Sequence, residues 1–190
     1  MKKRILILGL LPVIVILAAV KISAHDEEIS AAGSNMWNQA QESTNWWDAI
    51  KQVHGHVGPW NVLGWRMGKA ALRELGATWG EHQLDIICHV PLKTPYSCIA
   101  DGLIVGTGNS MGRLDIHLSE VATMNEIYVS ARRKDGSGPV LLLKPNQKYM
   151  EKICNAPDSQ LTPLAHECAK LPEKELFVIE KILPSEHNSK

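Results

Sequence analysis

Two histidines one residue apart, His54-Gly55-His56, stand directly ahead of Val57-Gly58-Pro59 and a run with helical spacing. A pair of imidazoles on a glycine-flexed segment can bind a metal ion or an anionic group. Pro59 suits the first helical position, where its missing N–H is no loss and its fixed φ already matches the helix. Val62, Leu63, Met67, Ala70, Ala71 and Leu75 follow helical spacing, and Gly76 stops the run. This pattern predicts a helix with both histidines at its positive end, where neutral imidazole, the metal-binding form, is favoured. An exposed His-Gly-His is more often only an ordinary soluble turn, so a third donor has to decide between the two.

Cys98 is the candidate for that donor. Ser97 to Val105 reads as a helix with Ser97 as N-cap, which places Cys98 where the dipole and unpaired N–H groups lower a thiol's pKa. Asp101, three residues on, shares its helix face. A thiolate and two imidazoles suit a tetrahedral zinc-like ion and leave one position open for water or substrate. The other cysteines read differently. Cys154 and Cys168 bracket a short loop and are read first as a disulfide, worth about 3 kcal/mol for a loop near that length; a zinc pair with His166 is the alternative. Cys88, inside an apolar strand, is a buried thiol or a partner for Cys98. His82, His89, His117 and His166 are read as structural or surface residues, with His117 in reserve as a ligand.

The elements that must position these donors alternate between the two periods. Met36 to Val53 has helical spacing, broken near Ser43-Thr44-Asn45, and the helix from Pro59 follows. Gln83 to Val90 has strand length. Gly106 to Gly112 is a glycine-rich turn that follows a helix rather than a strand, so a dinucleotide-binding fingerprint fails in context. Arg113 to Leu118 alternates as a strand with Asp115 and His117 on one face. Glu126 to Arg132 and Pro139 to Leu143 flank the turn chemistry of Lys134 to Gly138 and predict a hairpin. Asn146 to Ile153 is a short helix, the chain beyond Cys154 is irregular, and Glu173 to Leu183 is a helix or a strand. The fold class is therefore α+β, a mixed sheet with a hairpin packed by helices.

The chain opens with Met1-Lys2-Lys3-Arg4 and an apolar run from Ile5 to Val20, followed by Ala24 and an acidic stretch. Residues 1–24 thus read as a secretory signal or an uncleaved N-terminal anchor, which places the remainder in a periplasm or otherwise outside the cytoplasm. Residues 25–35 are a flexible lead-in, 36–153 the metal-binding domain, and 154–190 a C-terminal extension. With 20 basic and 20 acidic side chains and no basic stripe, nucleic acid is excluded as a partner. Six tryptophans stand against one phenylalanine; most are core, and Trp60 and Trp65 flank the motif helix as candidate pocket walls.

The ordered set His54-Gly-His-Val-Gly-Pro59, Leu63-Gly-Trp-Arg-Met-Gly-Lys-Ala-Ala-Leu72, Cys98-Ile-Ala-Asp101 and Thr107-Gly-Asn-Ser-Met-Gly-Arg113 resembles the FmdE family of formylmethanofuran dehydrogenase proteins. The similarity runs from about Trp47 to Ile153. It implies an α+β core that commonly forms a homodimer, with a metal-binding cleft where the histidine pair meets the cysteine. His54, His56 and Cys98 match the ligand positions, and Asp101 the acidic position after the cysteine. The family often has cysteines at the positions of Gly58 and Asn109, absent here, and its paired Cys-x-x-Cys zinc ribbon is missing.

These residues and the resemblance together imply an exported metal-binding protein holding a divalent transition ion, zinc first, on His54, His56 and Cys98. The turn from Asn109 to Arg113 would wall the cleft, with Arg113 and Arg66 as candidates for an anionic ligand. In a catalytic version Asp101 or Asp115 would accept the proton. The alternative is a metal carrier or an accessory component for a redox partner protein. Thiol exchange through Cys98 is the weaker third reading, because the chain has no Cys-x-x-Cys.

Overall fold

The computed structural model describes residues 41–183; the expected signal or anchor, the expected lead-in and the first part of the helix expected from Met36 lie outside the described residues. Helix α1 (Trp46–His54) starts where Ser43-Thr44-Asn45 breaks the pattern. The Asn45 side chain accepts the Asp48 N–H at 3.3 Å, and Gly55, at φ 91°, ends the helix in the left-handed region that glycine adopts without cost. Helix α2 (Pro59–Leu75) begins and ends as its sequence predicts, with Pro59 first and Gly76 left-handed just beyond.

Helix α3 (Cys98–Thr107) lies so close against α2 that no side chain fits between them. A Cβ at Gly64 would stand 2.0 Å from the Ile99 carbonyl oxygen, and one at Gly102 would stand 1.9 Å from that of Asn61. Gly68 and Gly106, one turn further along each helix, continue the contact. Each helix thus carries glycines four residues apart on its contact face, and backbone meets backbone. Leu63, Met67, Ile99 and Leu103 fill the space around this crossing and are fully buried.

Beneath the helices runs a five-stranded sheet in the order β2-β1-β3-β4-β5. Strand β1 (Leu84–Val90) alternates buried and half-buried residues and pairs in parallel with β2 (Ile116–Glu120), with α3 in the connection. It pairs antiparallel with β3 (Tyr128–Arg133), which forms the expected hairpin with β4 (Val140–Pro145). Helix α4 (Gln147–Cys154) follows, capped by the Asn146 side chain on the Lys148 N–H. The fold is α+β with a mixed sheet, as predicted. Among the described residues no helix is long and apolar enough to cross a membrane.

Beyond Cys154 the expectation of irregular chain is corrected. Helix α5 (Leu161–Lys170) buries Leu164, Ala165 and Cys168 against α2. Pro163 disguises it in the sequence, although within a first turn proline costs no hydrogen bond. A short helix α6 (Glu173–Leu176) leads into strand β5 (Phe177–Ile182), which pairs antiparallel with β4. The segment from 154 therefore supplies a helix and an edge strand to the same sheet and is no appendage.

The disulfide is also corrected: all four cysteines are free. Cys168 is buried under α5, where desolvation pushes its thiol up to about 12, whereas Cys154 ends α4 exposed, 3.7 Å from the Tyr96 hydroxyl. Cys88 is the buried thiol expected, likewise pushed up to about 12 by burial. Arg66 is no anion ligand. Its Nη1 donates to the carbonyls of Cys168, Ala169 and Leu171 at 3.0, 2.9 and 3.1 Å, closing the end of α5. Two tryptophans bind α1 to its neighbours: Trp46 stacks on Trp65 at 4.5 Å, and Trp47 on His166 at 4.2 Å. That stack accounts for His166 as a packing residue.

Candidate metal centre

The turn through Gly55 leaves His54 at the carboxyl end of α1 and His56 ahead of α2, their ring centroids 4.6 Å apart. His54 is thus not ahead of a helix, as its sequence position suggests, but the last residue of one. Buried Asn61 holds the turn in shape. Its Oδ1 accepts the Gly58 N–H at 3.0 Å and its Nδ2 donates to the His56 carbonyl at 3.2 Å. The His56 ring lies over Gly58, at an ordinary 3.8 Å from where a Cβ there would stand.

Because α3 is pressed onto α2, its first turn reaches the histidines. Asp101 Oδ2 lies 2.7 Å from His54 Nδ1. With the imidazole neutral, a carboxylate at that distance places the proton on Nδ1 and leaves the Nε2 lone pair for another partner. Sequence spacing allots Asp101 to the face of Cys98; in the fold it serves His54. Cys98 is 9% exposed.

The expectation that a helix start would activate this thiol is corrected. The turn from Lys93 to Ser97 runs straight into α3, so the N–H groups of Ser97, Cys98, Ile99 and Ala100 already donate to the carbonyls of Lys93, Pro95, Tyr96 and Ser97. Ser97 is itself helical, at φ −63° and ψ −18°, and makes no side-chain cap. Burial first, and the Asp101 carboxylate second, hold the Cys98 thiol above its ordinary value. The unmetallated side chain is therefore a thiol at neutral pH.

His54, His56 and Cys98 line one cavity of about 290 Å³, with Trp60 as one of its apolar walls. The same cavity is lined by two residues that sequence spacing does not single out for the site, Cys154 and Asp158. No local signal marks them, because their proximity comes from the docking of α4 and the segment after it. Among the described residues, no set of three or more His, Cys, Asp and Glu side chains converges on a common ion position. The donors face one space without meeting in it. Their chemistry nonetheless fits a soft or borderline divalent cation: imidazole nitrogen and cysteine sulfur, with a carboxylate orienting one ring.

The remaining candidates are elsewhere. Asp115, 1% exposed at its side chain, binds His82 Nδ1 at 2.6 Å and Lys134 Nζ, with Arg113 Nε at 3.6 Å. It precedes β2 and does not line the histidine cavity. Asn109 is buried, donates its amide to the Leu84 carbonyl at 3.0 Å and borders a separate cavity with Trp46, Trp65 and Trp79. Of the two candidate wall tryptophans, Trp60 lines the histidine cavity and Trp65 lines this other one. His117 faces Asp85 at 3.5 Å on the sheet.

A family model matches the chain over residues 53–180, under the description "FmdE, Molybdenum formylmethanofuran dehydrogenase operon". No curated protein matches it.

Proposed function

This chain belongs to the FmdE family, and from that premise we propose that it is an exported metal-binding protein whose ion, zinc first, is held by His54, His56 and Cys98. The observation that carries the reading is the 2.7 Å contact between His54 and Asp101 at the edge of the cavity that His56 and Cys98 also line. A carboxylate on the far nitrogen of a histidine is the arrangement that orients metal-binding imidazoles and raises their basicity. The buried thiol fits the same role, since a coordinating cation displaces its proton and removes the penalty that burial imposes on a bare thiolate. A bound ion would supply Lewis acidity or an activated water where a coordination position stays open. Export rests on residues 1–24 alone, and a homodimer or a redox partner protein are further proposals of the same kind.

Elemental analysis of the purified protein tests the site. Stoichiometric metal is expected in the wild type and its loss in both His56→Ala and Cys98→Ala. Asp101→Asn should retain the ion but bind it about 10- to 100-fold more weakly, as for other carboxylates behind a metal-bound histidine. Full occupancy in both alanine variants overturns the reading.

A further inference from the structure

Resting on that reading, we propose that Cys154 is the fourth ligand, so that the centre is a closed set of two imidazoles and two thiolates that stores or carries its ion and has no vacant position for catalysis. Cys154 lines the cavity together with His54, His56 and Cys98, reaching it from the end of α4. It is exposed, and its sulfur's one hydrogen-bond contact among the described residues is the Tyr96 hydroxyl at 3.7 Å, a weak one. His56 is exposed as well. Turning two such side chains into the cavity crosses only ordinary rotamer barriers.

Charge favours the second thiolate. Two neutral imidazoles and one thiolate leave a divalent ion and its direct ligands with one net positive charge, which the Asp101 carboxylate behind His54 offsets only from outside the ligand set. A second thiolate brings the ion and its ligands to neutrality. Asp158 also lines the cavity, but zinc-like ions with sulfur already in the set prefer further soft donors over carboxylate oxygen. Four protein ligands of the Cys₂His₂ type leave no place for water, which separates structural and carrier sites from catalytic ones.

Cobalt(II) loading of the full chain tests the assignment, because thiolate-to-cobalt charge-transfer absorption scales with the number of bound sulfurs. At saturating cobalt, where a site too weak to keep its metal through purification still fills, Cys154→Ser is expected to show about half the wild-type charge-transfer intensity, Cys98→Ser to do the same, and Asp158→Asn to leave it unchanged. X-ray absorption of the zinc-loaded wild type should count two sulfurs and two nitrogens, a readout that needs no variant to fold. If Cys154→Ser keeps the full band while Cys98→Ser loses it, and absorption finds one sulfur, this assignment is wrong and the three-ligand centre stands. If the wild type binds no cobalt or zinc, the underlying reading fails instead.

Discussion

Gly102→Ala is expected to destabilise the domain by about 3 kcal/mol, a fall in Tm of roughly 6–12 °C for a chain of this size. The added methyl would stand 1.9 Å from the Asn61 carbonyl oxygen and 2.6 Å from the Trp65 nitrogen. Both atoms are helix backbone, so no side chain can swing aside, and α3 must move away from α2. That movement carries Cys98 and Asp101 with it, breaking the His54 contact at 2.7 Å and weakening metal binding beyond the loss of stability. Gly112→Ala is the control. Nothing lies within 4 Å of a Cβ there, and thermal unfolding and metal content should both match the wild type.

Asp115→Ala is expected to cost about 3 kcal/mol while leaving stoichiometric metal in place. Its carboxylate gathers His82, Lys134 and Arg113 from three separate stretches of chain and is almost wholly buried. His82 and Leu114 have φ of 51° and 57°, a conformation that side chains other than glycine hold only when their surroundings compel it. With the carboxylate removed, His82 loses the hydrogen bond that holds it at its positive φ. Urea unfolding should show the drop in stability, and elemental analysis should show an unchanged ion content. Loss of the metal with stability intact would instead assign Asp115 to the centre.

Much of this architecture is legible in the chain. Pro59 and Gly76 bracket α2 to the residue, Lys134 to Gly138 announces the hairpin, and Asn146 announces α4. These signals are local: a fixed φ, a left-handed glycine, a side chain that caps its own neighbours. Pro163 hides helix α5, and Glu173 to Leu183 is ambiguous because it holds a turn of helix and then a strand. The site is half legible. His54, His56, Cys98 and Asp101 are each conspicuous by type; the fold sets the first three along one cavity and Asp101 against His54. The state of the Cys98 thiol escapes the sequence because it depends on where the preceding turn sends its hydrogen bonds, which residue order does not state. Asp115 stands out in the chain as a carboxylate sharing a strand face with His117, whereas the fold pairs it with His82, Lys134 and Arg113 away from the histidine cavity. The spacing of Gly64 with Gly68 and of Gly102 with Gly106 is plain in the chain, yet only the crossing of the two helices gives it meaning.

The walls of the histidine cavity come from positions as distant as His54 and Cys154, 100 residues apart in the chain. For the proposed ion, a nascent or unfolded chain would offer only scattered imidazoles and thiols, and tight capture would wait until the sheet and its helices have closed. Loading would then be a late event that rewards completed folding, and each decade of free ion above the dissociation constant would add up to about 1.4 kcal/mol to the native state.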